Sequence, residues 1–468
     1  MRTGRGDPIM HKERTTRNRA EAGRVHGRSL ALLAAGGLLL AGCDLGVSNP
    51  ALIEETDLET EQAVPAIVNG ALGTFGMATT IMGGGGTYSA SALLSGELVH
   101  SGSWVPPREI SEGTPNNESP ENQSHWGFSS QARWQAEDAI EKAQRLVSDP
   151  ASSSWVALAQ LYAGFSNRIM GEMFCDAVID GGAAEPHTAF SERAVGFFQD
   201  AVQTAQAGGH SDTRLAALAG QAQANLMLGQ WDQAVAAAQQ VPTDFVFSHV
   251  HSENSGNEHN GVHNWAYRGD NGFQLTVWGT RWAEWGLNTA DPEAGGDPRA
   301  SFRPLLTSGG DPLIGGDNRR PVWRVEKYPA RNTGIPLAKG TEMRLIEAEA
   351  LLRQNQIGAA VDLINEVRAH HGLDAVDAAT AAEAWPLLMQ ERGIELWMEG
   401  RRLGDVRRWA ADGTTEPFAG YEVVGAVAGG QPASADPTRN VLDADPLCLR
   451  VSTNEIFSNP NLAANPPR

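Results

Sequence analysis

Cysteine, tyrosine and positive charge are all scarce in this chain: 3 Cys, 5 Tyr and 36 Lys plus Arg against 56 Asp plus Glu in 468 residues. Each scarcity excludes something. Three cysteines cannot make a disulfide-dense scaffold, and none is arranged as a Cys-x-x-Cys metal or redox pair. The formal net charge of -20 excludes nucleic acid as a partner, because a phosphate-binding face needs clustered Lys and Arg. The apolar run from Leu30 to Leu40 falls short of the roughly 20 residues that span a bilayer. No nucleophile elbow and no phosphate-cradling glycine loop before a helix is present. With 41 % hydrophobic residues the chain is nevertheless globular, with enough length for a large core.

What positive charge there is lies at one end. Residues 1–42 carry eight Lys plus Arg against three acids, and the remainder carries 28 against 53. A basic stretch, a short apolar run and then small residues is the order of an export signal. It ends Leu40-Ala41-Gly42-Cys43, which resembles the lipobox of bacterial lipoproteins. That resemblance implies that residues 1–42 are a lipoprotein signal peptide and that Cys43 is acylated, with 43–57 as a polar tether. A stable anchor needs more than one acyl chain, since a single chain binds only marginally. An export signal with an incidental cysteine is the alternative. Cys175 and Cys448 remain, and either a disulfide or two buried thiols fits them.

Amphipathic, Ala- and Leu-rich pieces predict helices over 58–78, 130–148, 152–173, 189–207, 212–228 and 231–240. The stretch "ANLMLGQWDQAVAAAQQV" at 224–241 aligns without gaps on "ALLRQNQIGAAVDLINEV" at 350–367. Each has a polar turn (Gly229-Gln230, Asn355-Gln356) followed by a small Ala (Ala234, Ala360) where two helices would press together. This resembles the tetratricopeptide repeat, in which helical hairpins stack to bury a shared face. The expected fold is mainly α: a tetratricopeptide-like hairpin scaffold over 58–242 and 341–411. The Gly- and Pro-rich stretches 243–340 and 412–468 form a loop-rich part with short strands. A further long loop is expected over 103–126.

Several motifs along the chain resemble, in order, those of the SusD/RagB family of outer-membrane nutrient-uptake lipoproteins. They are "LETEQAVPAIVNGAL", "DPRASF", "KYPARNTGIPLAKGTEMRLIEAEALLR", "INEVRAHHGL", "ERGIELWMEGRRLGDVRRW" and "VSTNEIFSNPNL". The resemblance spans almost all of 43–468 and implies one SusD-like domain, lipid-anchored at the outer membrane and facing outside. It also implies capture of a glycan or other oligomeric nutrient, an oligosaccharide or a peptide, for a TonB-dependent SusC-like transporter. No enzymatic activity and no cofactor are implied.

Acids and bases crowd the "ERGIELWMEGRRLGDVRRW" segment and would neutralise one another at helical spacing, Glu399 with Arg402, Arg401 with Asp405 and Asp405 with Arg408. A structural ionic network is the reading. Glu395 and Glu399 as glycosidase carboxylates are disfavoured, because neighbouring Arg residues depress both pKa values. His249, His251, His259 and His263 fall within "SHVHSENSGNEHNGVH", a weak candidate for metal ligation, against a plain His-rich loop. For ligand contact, aromatic faces suit the C-H faces of sugar rings. Trp265 and Tyr267 in a glycine-bearing loop lead, with Arg268, Asp270 and Asn271 as hydrogen-bonding neighbours; Trp104 and Trp126 follow. Trp278, Trp282 and Trp285 have the spacing of a core stripe. Two other classes stay open: a surface-anchored glycan hydrolase, and a tetratricopeptide-type scaffold that binds only protein.

Overall fold

The first long described helix starts as the apolar spacing requires, with Pro65 in its first turn, where a missing N–H costs nothing. The computed structural model describes residues 58–268, 273–413, 419–424, 435–440, 447–462 and 466–467. The expected signal segment (1–42), Cys43 and the whole of the expected tether (43–57) lie outside the described residues. Glu55–Arg468 forms one unit.

Eight helices make up the first half: α1 (Val64–Gly76), α2 (Met82–Leu94), α3 (Val105–Ser111), α4 (Pro120–Leu146), α5 (Ser154–Met173), α6 (Thr188–Gly208), α7 (Ser211–Met227) and α8 (Trp231–Ala238). After the short α9 (Arg281–Trp285) come α10 (Gly340–Arg353), α11 (Ile357–His370), α12 (Ala381–Glu395), α13 (Arg402–Ala411) and α14 (Thr453–Ser458). The fold is mainly α, as expected. Successive helices pack on one another, α4 on α5, α5 on α6, α6 on α7, α7 on α8, and α8 on α10, which in turn packs on α11 and α12.

Small residues allow this close stacking. Phe198 of α6 is fully buried between α5 and α7, and a Cβ on Gly164 or Gly220 would fall 2.5 Å or 2.3 Å from its ring. The two aligned hairpins share their turn geometry as well. Gly229 and Asn355 both take left-handed backbone, at φ 67° and 58°. The next amide closes each turn identically: Gln230 N–H donates to Asn225 O, and Gln356 N–H to Leu351 O, both at 2.9 Å. Ala234 and Ala360 are fully buried, as a close helix crossing requires.

The 243–340 stretch returns to this scaffold through short strands. Val246–His249 pairs antiparallel with Ile335–Lys339, and Asp297–Pro304 pairs antiparallel with Trp323–Val325. The predicted loop over 103–126 is partly helical instead. Trp104 precedes α3, and Ser119 caps α4 by accepting a hydrogen bond from Asn122 N–H at 3.1 Å. Pro106 and Pro107 sit in the first turn of α3, and Pro120 in that of α4.

Cys175 and Cys448 form a disulfide, 273 residues apart in sequence with Cα atoms 5.2 Å apart. It fixes the end of α5 to the C-terminal segment, where Cys175 N–H donates to Leu449 O at 2.9 Å. Residues 61–94 are the one helical stretch among the described residues long and apolar enough to cross a membrane. Four consecutive glycines with left-handed φ interrupt it, and α1 and α2 pack on α4, so it serves as core.

Candidate functional site

The interruption between α1 and α2 builds the site. Residues 77–81 form a single π-turn, in which Thr79 Oγ donates to Phe75 O at 2.8 Å and Thr80 Oγ to Gly76 O at 3.0 Å. Gly83, Gly84, Gly85 and Gly86 follow with φ of 70°, 83°, 102° and 72°. A side chain at Gly86 would fall 2.2 Å from the Thr79 carbonyl, so the chain can double back here only without one.

Two indoles lie against this bare backbone. The Trp104 Cζ3 and Trp265 Cη2 atoms are each 3.9 Å from where a Gly84 Cβ would be, and the rings stack at 5.7 Å between centroids with 14° between planes. Trp104 keeps 43 % of its surface exposed, while Trp265 is half-buried. The pair is therefore an apolar platform with one wet side, fixed by the glycine run, by the proline-led start of α3 and by the helical turn His263–Tyr267.

His125 lies beneath Gly83, fully enclosed, with neither ring nitrogen partnered. Burial pushes it down to about 4, so the imidazole is neutral near pH 7. The glycine run and His125 went unnoticed in sequence reading, although "GGGG" inside an otherwise helical stretch is a visible signal.

The other predicted contacts divide. Tyr267 is already engaged, stacked on His263 at 4.9 Å with the Arg324 guanidinium 4.3 Å from its centroid. Arg268 is exposed beside it, and Asp270 and Asn271 lie outside the described residues. Trp126 belongs to the core, not to a site. It is 2 % exposed, edge-on to Phe174, and its indole donates to Glu455, because α4 begins before it and turns it inward. Trp282 is core too, donating to Gly393 O at 2.9 Å.

The four histidines do not gather. His249 bonds the Tyr162 hydroxyl through Nδ1 at 3.0 Å, and His251 packs on it. The His263 Nδ1 atom instead bonds the Tyr328 carbonyl at 2.8 Å. Among the described residues, no group of three or more His, Cys, Asp or Glu side chains is placed to hold a metal ion.

The charged segment is a buried network, but its partners differ from the helical expectation. The helix breaks over residues 396–401, so only Asp405 to Arg408 survives, at 2.9 Å. Glu399 pairs with Lys327 and Lys339, at 2.8 Å and 3.0 Å, and Arg401 with Glu172 and Glu342. Burial acts to raise the Glu395 pKa, but Lys339, His371 and Thr341 more than offset it and hold the carboxyl well below the usual range. Such a group is ionised and cannot serve as a general acid near neutral pH.

Residues 328–467 match the sequence model of the SusD family. That C-terminal stretch, under a third of the chain, is similar to the SusD family. No curated protein matched it. Solved structures with the same fold include a SusD-like carbohydrate-binding protein from Bacteroides fragilis, with a TM-score of 0.66 and 14 % identity over 87 % of this chain and 100 % of that one. Another B. fragilis SusD-like protein gives 0.61 and 13 % over 87 % and 97 %. A SusD-like carbohydrate-binding protein from Bacteroides vulgatus gives 0.59 and 14 % over 87 % and 98 %. The SusD-like fold expected from the motifs is thus present, and at such low identity these likenesses speak to fold alone.

Proposed function

We propose that this chain captures a glycan at the cell surface and delivers it to a TonB-dependent SusC-like transporter, held at the outer membrane by acylated Cys43. The observation that carries the reading is the stacked Trp104–Trp265 pair with its exposed face. A flat aromatic surface binds the C-H face of a sugar ring, and neighbouring polar groups such as Arg268, with Asp270 and Asn271 next along the chain, would take its hydroxyls. Two solved relatives of the same fold are carbohydrate-binding proteins. Binding rather than turnover fits the ionised, fully paired state of Glu395.

The test is calorimetric titration of the mature protein with a panel of neutral oligosaccharides and oligopeptides. At least one oligosaccharide should bind, and Trp104→Ala should weaken it at least tenfold, about 1.4 kcal/mol. A panel with no binder, or binding indifferent to Trp104→Ala, would sink the reading. Co-purification of a barrel transporter and mass spectrometry of acylated Cys43 test delivery and anchoring separately.

A further inference from the structure

Lysine is the scarcest charged residue of the chain: four occur in 468 residues, against 32 arginines. Two of the four, Lys327 and Lys339, meet on one carboxylate oxygen, donating to Glu399 Oε1 at 2.8 Å and 3.0 Å. Both line a pocket of about 450 Å³, which opens between the strands Val246–His249, Asp297–Pro304 and Ile335–Lys339 and the end of α12. That volume is in the range of small-ligand sites. Val246, Pro298, Pro329 and Pro336 supply its apolar wall, and it shares no lining residue with the Trp104–Trp265 surface.

The use of lysine here bears on chemistry. An ionic network needs permanent cations, and arginine fills that role at Arg299, Arg392, Arg401 and Arg408. Lysine differs because an enclosed amine can give up its proton. The two lysines are not equivalent. Lys339 also donates to Glu395 O and pairs with the Glu395 carboxylate at 2.9 Å; burial opposes its charge, but Glu395 and Glu399 outweigh burial and keep its pKa above the ordinary value. Lys327 shares Glu399 with a like charge. Burial, joined by the repulsion of Lys339, outweighs the pull of Glu399 and lowers the Lys327 pKa. Its two acceptors, Trp397 O at 2.7 Å and Glu399 Oε1, match the two N–H groups of a neutral amine and leave the nitrogen lone pair unbound. The Lys327 side chain stays 16 % exposed in the pocket wall.

We infer that Lys327 is a reactive amine, which condenses with a small uncharged aldehyde entering this pocket. Glu399 takes the ammonium proton, and the Nζ lone pair bonds to the carbonyl carbon while the C=O π pair moves to oxygen. A proton passes from nitrogen to that oxygen and gives a carbinolamine. Glu399 then returns its proton to the hydroxyl, which leaves as water, so ammonium plus aldehyde becomes protonated imine plus water, with no oxidant or reductant. The aldehyde is uncharged because the ions of the pocket wall already pair with one another or with ions just behind it: Arg299 with Glu395, Glu326 with Arg324, Lys339 with Glu395. The proline wall receives its ring or alkyl chain. The inference holds even if the Trp104–Trp265 surface binds nothing.

Trapping with cyanoborohydride in the mature protein near neutral pH, followed by peptide mass mapping, tests it. The probes are benzaldehyde and propanal, one ring and one chain. Lys142 of α4 is the internal reference, with 35 % of its side chain exposed and Asp138 as its partner. At least one probe should label Lys327 at least tenfold faster than Lys142 and saturably, and the Lys327 rate should rise with pH about a midpoint below that of a free lysine side chain. Val246 is 54 % exposed, so Val246→Trp narrows the pocket without entering the core. It should slow Lys327 at least tenfold and leave Lys142 at its native rate, whereas Trp104→Ala should change neither. The inference is overturned if both probes label Lys327 no faster than Lys142, if its rate does not saturate, or if its pH midpoint is at or above that of free lysine. Undiminished labelling of a folded Val246→Trp variant, or slowing in Trp104→Ala, overturns it equally.

Discussion

Arg392 of α12 and Asp405 of α13 grip each other through two hydrogen bonds, both 2.9 Å long, across the break that separates their helices. Neither side chain reaches solvent appreciably. Burial alone would raise the Asp405 pKa, but Arg392 and Arg408 outweigh it and hold the carboxyl far below the ordinary range. The network continues through Arg408 to Glu349, and from Glu349 to Arg353, so the carboxylates of Asp405 and Glu349 together link α10, α12 and α13.

Removing one member of such a set strands the others in a poor solvent. Asp405→Ala should therefore cost about 3–5 kcal/mol in urea unfolding. The exposed pair Glu59–Arg145 is the control: each partner is about half exposed, and Glu59→Ala should leave the urea midpoint nearly unchanged. Equal effects for the two would show that burial does not set the size of the loss.

Glu97 gives a pH dependence of opposite sign. It is fully buried beneath the break, accepting from Met398 N–H at 2.9 Å, and burial pushes it up to about 7. The unfolded chain releases this proton near 4.5. Between those values the folded state holds more proton, so this group's contribution to stability falls as pH rises and levels off above 7. The buried His100, His125 and His249, with pKa values lowered to about 4, 4 and 3, push the other way between their folded and unfolded values. The readout is therefore a difference. Relative to the native protein, Glu97→Gln should gain about 3 kcal/mol between pH 4.5 and 7. A constant difference across that range would contradict the assignment.

Closing a loop of this size removes much of the freedom of the unfolded chain. The Cys175–Cys448 bridge spans 273 residues, and chain-entropy reasoning puts its effect at up to about 5 kcal/mol. Unfolding by urea with and without a thiol reductant should show a lower midpoint for the reduced protein. Identical midpoints would mean that hydrogen bonding around Leu449 alone secures the C-terminal segment.

Trp104 and Trp126, which the sequence cannot separate, should behave in contrasting ways. Trp126→Ala empties a core position and should destabilise by about 3–5 kcal/mol. Trp104→Ala should leave the midpoint nearly unchanged and act on oligosaccharide affinity instead. Thermal melts beside calorimetry distinguish the two.

The helices from 130 to 240 were legible because their apolar spacing and their packing face coincide, as the matched turns at Gly229 and Asn355 show. The 103–126 segment misled because proline reads as a breaker, although it also starts helices well, and Pro106 and Pro120 are used in that way. In the 391–409 segment the composition announced a charged network. Its pairing was hidden because Met398 and Gly400, at φ 59° and 69°, break the helix and send Glu399 and Arg401 to partners far along the chain. At the site, Trp104 and Trp265 were each legible as aromatics within expected loops. Their stacking was not, because it is set by the glycine reversal that lies before both in sequence.

The Phe198 ring clasped between Gly164 and Gly220 ties three distant codons to one another. A larger residue at either glycine is tolerable only alongside a smaller one at 198, so lineages descending from this chain should exchange all three together or none.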